Sequence, residues 1–232
     1  MALPKYLQTT KQEVEQVEET KTFTPHIKLL TPLSKEVKKS SDKYIPSAEE
    51  GLFCCDGELF DKFSFVILDH TTSYKVWKDS IPIGNFETEE EASALANSKD
   101  GIGSTVNLHK DFAIKFAGPD KLAGKNAILS LSGTSKLVTA KTLLRQMNLN
   151  FKKHMDKKTG EGPDFTSFVY TYTSELISSN GNSYWVFNLQ DDKDPALTSE
   201  ALYIQAKQDQ EEIKSLQDPE QNLLAQGEAR GI

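Results

Sequence analysis

The stretch Phe63-Ser64-Phe65-Val66-Ile67-Leu68 is rich in β-forming residues, and Ser73-Tyr74-Lys75-Val76-Trp77-Lys78 follows it after four polar residues. Aromatic and β-branched side chains favour the pleated, half-buried surface of a strand. The two runs therefore predict neighbouring strands joined through residues 69–72. In the second run, the two-residue period of a strand puts Tyr74 and Lys78 on one face and Lys75 and Trp77 on the other.

Further strand patterns lie on both sides of this stretch. Upstream, Asp56-Gly57 separates residues 52–55 from residues 58–60 and predicts a tight hairpin. Downstream strands are predicted at residues 105–108, 111–116, 126–131, 165–177 and 183–189. Asn180-Gly181 is a second hairpin signal, between the last two of these strands.

One clear helix interrupts the strands. Apolar residues recur at helical spacing between Leu137 and Met147, after the candidate N-cap residues 132–135, and this pattern predicts a helix at about residues 135–149. A short helix is expected near residues 89–97. A polar helical pattern at residues 197–224 predicts an exposed C-terminal helix.

This order of elements predicts a mainly β fold with helices (α+β). We expect an OB-like small antiparallel barrel of five strands, with one internal helix and a C-terminal helix. The predicted organisation is an N-terminal tail and extended edge segment (1–43), a core domain (44–190) and an acidic C-terminal helix and tail (191–232). The aromatic residues assigned to the core are Phe63, Phe65, Phe165 and Phe187.

The charges are segregated along the chain of 232 residues, whose net charge is −7. Residues 104–158 contain 11 basic and 3 acidic side chains, whereas the segments before and after are acidic. A local positive excess is typical of a surface that binds an anionic partner. A solvated lysine-rich face is the other interpretation of this pattern.

No run of 18 apolar residues and no secretory signal is present, so we expect a cytoplasmic protein. Cys54 and Cys55 are adjacent, and a disulfide between neighbours is strained, which favours two reduced thiols. The four histidines share no metal-ligand spacing with each other or with the cysteines. Gly133-Thr134-Ser135-Lys136 matches only the end of a phosphate-binding loop and predicts a helix cap. We therefore expect no enzyme, no catalytic residue, no metal and no cofactor.

Aromatic and basic side chains alternate in several of the predicted strands. A single-strand-binding protein needs lysines that follow the phosphates and exposed rings on which bases stack. Tyr and Trp are better candidates than Phe, because they tolerate a wet edge. The predicted nucleic-acid-binding residues are Tyr74, Lys75, Trp77, Lys78, Lys110, Lys115, Lys152, Lys153, Lys157, Lys158, Tyr170, Tyr172 and Trp185.

Over about residues 24–190 the chain resembles accessory proteins of tailed bacteriophages that are single-stranded-DNA-binding-like and have an OB-type barrel. The segments that support this resemblance are residues 24–34, 45–51, 63–68 with Tyr74 and Trp77, 129–135, and 165–172 with Tyr184 and Trp185. The resemblance implies binding of single-stranded DNA in phage replication or recombination, with no catalytic residues. The chain departs from many such binders at its end, residues 226–232, which lacks an acidic tip that recruits partner enzymes.

These observations predict a non-catalytic single-stranded-DNA-binding protein. Its expected partners are single-stranded DNA, replication or recombination proteins and a second copy in a homodimer, with no membrane. Two alternatives stay open: a phage protein-interaction module that binds a host or replisome protein, which the acidic termini favour, and a virion structural component.

Overall fold

The computed structural model describes residues 24–79, 81–179, 181–190 and 195–217, so the predicted tail before residue 24 and the end after residue 217 lie outside the described residues. The strands are β1 (His26–Leu29), β2 (Phe53–Cys55), β3 (Glu58–Phe60), β4 (Lys62–Lys78), β5 (Ile81–Phe86), β6 (Thr105–Gly118), β7 (Asn126–Ser132), β8 (Phe168–Ser179), β9 (Asn182–Gln190) and β10 (Ala196–Leu197). The helices are α1 (Glu89–Ala96), α2 (Thr134–His154) and α3 (Glu200–Gln217), with a short 3-10 helix at Phe165–Ser167 before β8.

The strands form one curled, open sheet in the order β10-β8-β4-β6-β7-β1-β2-β3, with β5 added to β4 and β9 added to β8. The ladders are antiparallel except for β1, which runs parallel to β7. A mainly β fold with helices and a barrel-like sheet is thus confirmed, although the described part contains ten strands instead of five. The N-terminal segment expected at an edge supplies β1, which lies inside the sheet between β7 and β2.

The predicted pair of strands at residues 63–68 and 73–78 is a single long strand, β4. It pairs with β6 from Ser64 to Trp77, with register irregularities between Ser64 and Phe65 and between Ile67 and Asp69. Residues 69–72 contain two threonines and lack glycine, proline and asparagine, so the chain continues as a strand there. Both predicted hairpins are confirmed: β2 pairs with β3 around Asp56 and Gly57, whose φ angles are 51° and 78°, and β8 pairs with β9.

The main core lies on the concave face of the sheet. It contains Phe63, Phe65 and Phe187, as predicted, together with Ala140, Leu143 and Met147 of α2. Helix α2 therefore fills the interior of the curled sheet. Phe165 was expected in this core, but 40% of its surface is exposed, so that assignment is wrong.

Helix α3 covers the convex face. Ala206 packs with Val66 and Leu68 in a second buried cluster, and Gln210 Nε2 donates a hydrogen bond of 2.7 Å to the carbonyl of Leu68. The expectation of a solvent-exposed C-terminal helix is therefore wrong, because the apolar side of α3 closes the back of the sheet.

Strands β4 and β6 extend beyond the core into what we call the arm: residues 71–78 of β4, with β5, α1 and residues 105–110 of β6. Helix α1, close to the predicted 89–97, covers one face of the arm. Its Ala92 is fully buried, as is Val76 of β4. A Cβ atom on Gly84, opposite Val76, would lie 2.8 Å from the Leu95 side chain, which puts α1 on the Val76 face.

Candidate nucleic-acid interface

A pocket of about 250 Å³ opens between the C-terminal half of α2 and the start of β8. Its walls are formed by Met147, Asn148, Phe151, Pro163, Asp164, Phe165, Phe168 and Tyr170. Phe151 and Phe165 are 39% and 40% exposed, so both rings are accessible from solvent. Partly exposed aromatic rings at the mouth of a pocket offer faces on which a nucleobase can stack.

Four exposed lysines follow directly after Phe151. Lys152 and Lys153 lie in the last turn of α2, and Lys157 and Lys158 lie in the loop after it. Among the residues that the structure describes, Lys152, Lys157 and Lys158 form no ion pair. Lys152 and Lys153 also complement the negative end of the helix dipole. Lys157 and Lys158 lie beyond the helix, and their charges are available to an anion.

Asp164 holds the loop that forms one side of the pocket. Its Oδ1 accepts hydrogen bonds from the backbone and side chain of Thr166 and from Ser167, and its Oδ2 accepts one from Lys207 Nζ at 2.9 Å. Burial raises the pKa of Asp164, but these hydrogen bonds and the Lys207 charge outweigh it and hold the pKa below its ordinary value. Both oxygens are occupied, so Asp164 orients the pocket wall.

His70 connects the pocket to the middle of β4. Its ring centroid lies 5.4 Å from that of Phe165 and 6.0 Å from that of Phe112. The ring of His154 lies 5.5 Å from that of the pocket residue Phe168. Sequence reasoning missed Phe151, Phe165 and His70 as site residues. Only the adjacency of Phe151 to the lysine-rich segment could have indicated one of them.

Tyr170 and Tyr172, predicted as stacking platforms, lie in the core. Only 2% and 0% of their surfaces are exposed, and they share a strand face with buried Phe168. Burial raises the pKa of Tyr170 to about 12 and raises the pKa of Tyr172 further. That face of β8 is the core face. Tyr170 contributes to the pocket wall, but with 2% and 0% exposure neither residue offers an open ring face to a base, so the assignment as stacking platforms is wrong.

Lys115 is also excluded as a phosphate contact. It is 5% exposed, and its Nζ lies 2.7 Å from both the carbonyl of Gly124 and Asp209 Oδ2 on α3. An ammonium enclosed by a carbonyl, a carboxylate and a helix has no access to a nucleic-acid backbone. Its position on the convex side of β6 is the reason for this correction.

The predicted arm residues divide between two faces. Tyr74 lies on the same face of β4 as His70, because side chains two residues apart in a strand share a face. Lys110 lies on this face too, because it is paired with Thr72. Lys75 and Trp77 lie on the opposite face, where Lys75 Nζ is 3.6 Å from Asp111 Oδ2. Lys78 Nζ donates to the carbonyl of Asp100 at the tip of the arm.

Trp185 of β9 is half-buried against the main core. A Cβ atom built on Gly51 would lie 2.8 Å from its ring, and Gly51 has a φ of 85°. One face of the indole is therefore covered by the backbone of Gly51, and the residue lies apart from the walls of the pocket. Along the chain, Lys152, Lys153, Lys157 and Lys158 lie between the pocket residues Phe151 and Pro163 and are exposed, whereas Trp185 lies outside the pocket.

In the described ranges, no group of three or more His, Cys, Asp or Glu side chains is placed to hold a metal ion. Within the same ranges no helix has the length and apolar character needed to cross a membrane.

Searches of curated proteins and of solved structures find nothing similar to this chain. A protein-family model, described as Pam3 phage gp34-like protein, matches residues 1–218 and so includes every element described above. The chain therefore belongs to the Pam3 phage gp34-like family of phage proteins.

Proposed function

We propose that this phage protein binds single-stranded DNA at the C-terminal end of α2, without catalysing a reaction, and in this way supports phage replication or recombination. The observation that supports the proposal is the pocket lined by two partly exposed phenylalanines, Phe151 and Phe165, with the exposed Lys152, Lys153, Lys157 and Lys158 following Phe151 along the chain. Basic side chains next to aromatic faces are the combination that sequence-independent single-strand binding requires.

The two parts of this site have different roles. A base that enters the pocket stacks on Phe151 or Phe165, and each such stack contributes about 1–3 kcal/mol. The lysines neutralise neighbouring phosphates and release counterions, so the affinity falls as the salt concentration rises. Bases in a duplex are already stacked and paired, so they cannot enter the pocket. We therefore expect a preference for single strands.

The first experiment is fluorescence anisotropy of a labelled oligothymidine titrated at several salt concentrations, with a duplex of equal length as the control. Binding that is steeply salt-dependent and much weaker for the duplex is expected. The Lys157→Ala/Lys158→Ala variant should reduce the slope of log K against log salt by about 1.4, because each phosphate that is no longer neutralised lowers the slope by roughly 0.7. The matched control is Lys38→Ala/Lys39→Ala, which also removes two exposed neighbouring lysines but in a segment distant in sequence from the pocket.

The aromatic part is tested separately. Phe165→Ala should weaken binding by about 1–3 kcal/mol. Tyr184→Ala is its control, because Tyr184 is also 40% exposed but lies on β9. Equal affinities for the wild type and both aromatic variants would show that no base stacks on Phe165. Absence of single-strand binding even at low salt would refute the proposal.

A second candidate function is a protein-interaction module, and the tip of the arm favours it. Ile81 and Ile102 are 63% and 68% exposed there, and Lys78 bonded to Asp100 brings the two tip loops together. Exposed apolar side chains grouped at one end of a molecule are typical of a docking surface. Capture of the phage and host replication proteins by the wild type but not by Ile81→Ser/Ile102→Ser would support this function. Equal capture by both would contradict it.

A further inference from the structure

We infer that a bound strand continues from the pocket across His70 and along the face of β4 and β6 that extends from it, as far as Tyr74. We call this path the inner track, formed by His70, Thr72, Tyr74 and Lys110. The inference rests on the proposed function, because it extends the same site. It adds a second stacking position and a direction for the strand.

The register of β4 and β6 places these residues on one face. His70 is paired with Phe112, Thr72 with Lys110, and Tyr74 with Leu108, without a register shift between them. Directly paired residues point to the same side of a sheet. Because Phe112 belongs to the concave core and His70 contacts Phe165, the track begins at the pocket.

The chemistry along the inner track repeats that of the pocket. His70 and Thr72 are exposed, and Lys110 Nζ donates to Thr72 Oγ1 at 2.8 Å. Within the described ranges Lys110 has no acidic partner, so its charge is available to a phosphate. Tyr74 is half-buried and paired with Phe86 of β5 on its other side. Its phenol ring is thus held in an apolar setting that suits stacking.

The opposite face of the same strands lacks these properties. There, Lys75 Nζ lies 3.6 Å from Asp111 Oδ2, and Asp111 also accepts a hydrogen bond from Ser130. The indole nitrogen of Trp77 is enclosed, without a hydrogen-bond partner in the described part of the chain. The positive charge of Lys75 is therefore already compensated, whereas the charge of Lys110 on the inner track is available.

The length of the inner track sets the test. His70 and Tyr74 are four residues apart, which is about 13–14 Å along a strand at 3.2–3.4 Å per residue. A trinucleotide can place one base in the pocket and extend its other two nucleotides toward the lysines. In that position it does not reach Tyr74. An oligonucleotide of about ten nucleotides, within the roughly 4–16 of known single-strand-binding domains, covers both segments.

The experiment measures the affinity of a trithymidine and of the longer oligothymidine for four proteins: wild type, Tyr74→Ala, Lys110→Ala and Lys75→Ala. Tyr74→Ala should weaken binding of the longer strand roughly tenfold, the effect of removing one stack, and leave the trinucleotide unaffected. Lys110→Ala should lower the salt slope for the longer strand by about 0.7. Lys75→Ala is the control on the opposite face and should change neither.

The outcomes separate this inference from the proposed function. Binding of both oligonucleotides that is unaffected by Tyr74→Ala and Lys110→Ala would overturn the inner track and leave the pocket standing. Failure of the wild type to bind either would overturn both. Tyr74→Phe retains the ring and should restore long-strand affinity. Restoration by Tyr74→Phe, with an unchanged urea midpoint, would show that the weaker binding of Tyr74→Ala does not come from unfolding.

Discussion

Lys115 of β6 and Asp209 of α3 form an ion pair across the convex face of the sheet, with Nζ and Oδ2 2.7 Å apart and only 7% and 20% of the side chains exposed. Lys115 also donates to the carbonyl of Gly124, in the turn after β6. The pair thereby fixes α3 over the sheet, and it explains why one residue of the lysine-rich segment takes no part in the candidate interface.

Replacement of Lys115 by Met is expected to lower the free energy of unfolding by about 3 kcal/mol, because Asp209 would stay largely buried without its partner. Urea unfolding measures this decrease. The double variant Lys115→Met/Asp209→Leu should recover most of it, since an apolar pair can replace a buried ion pair at little cost. Folded Lys115→Met protein should bind single strands normally, and a reduced salt slope would contradict its structural role.

Tyr172→Phe should raise the free energy of unfolding by about 1 kcal/mol. The Tyr172 hydroxyl is buried without a hydrogen-bond partner in the described part of the chain, and an unsatisfied buried group is costly. Tyr170→Phe is the matched control, because the Tyr170 hydroxyl accepts a hydrogen bond from Asn150 Nδ2. Tyr170→Phe should therefore be destabilising. Denaturant unfolding of both variants checks the difference, and equal destabilisation would show that the Tyr172 hydroxyl has a partner.

His109 should make the protein less stable as the pH falls. Burial lowers its pKa, Lys75 and Lys136 lower it further, and Asp111 opposes them. Between this lowered value and the unfolded pKa of about 6.5, only the unfolded chain binds the proton, so the free energy of unfolding decreases with decreasing pH.

The measurement for His109 is urea unfolding between about pH 5 and pH 7, around its unperturbed pKa of about 6.5. His109→Gln should reduce the pH dependence by up to about 1.4 kcal/mol per pH unit, the limit for one proton. An unaltered pH profile in His109→Gln would refute the assignment.

Gly162→Ala should disturb the pocket through Phe151. A Cβ atom at residue 162 would lie 2.7 Å from the Phe151 ring, which therefore has to move. We expect weaker binding of a trithymidine, measured by anisotropy. In the Phe151→Ala background the same substitution should have little further effect, because the clash is absent. Additive effects in the double variant would contradict this coupling.

Much of the fold could be predicted from local patterns. Asp56-Gly57 predicts the β2–β3 hairpin because both residues accept positive φ angles. The spacing of Leu137 to Met147 predicts α2, although the helix continues to His154. The break predicted at residues 69–72 is absent, because β4 is held there by its ladder with β6, a contact between distant residues that local patterns do not contain.

The candidate site could be predicted only in part. The cluster of lysines at 152, 153, 157 and 158 is visible in the sequence, and clustered lysines are expected to be exposed. Alternation shows that Phe168, Tyr170 and Tyr172 share a face but not whether the core or solvent lies against it. Phe151 and Phe165 line the same pocket only because α2 ends beside the start of β8, so the pocket depends on tertiary packing.

The uninterrupted β4 has a dynamic consequence for the whole molecule. Its 17 residues span about 55 Å at 3.2–3.4 Å per residue and belong to the core at one end and the arm at the other. No flexible linker separates the two parts along this strand, although a register irregularity between Ile67 and Asp69 lies near their junction. Amide protons of β4 on both sides of that point should therefore exchange with solvent as one cooperative unit.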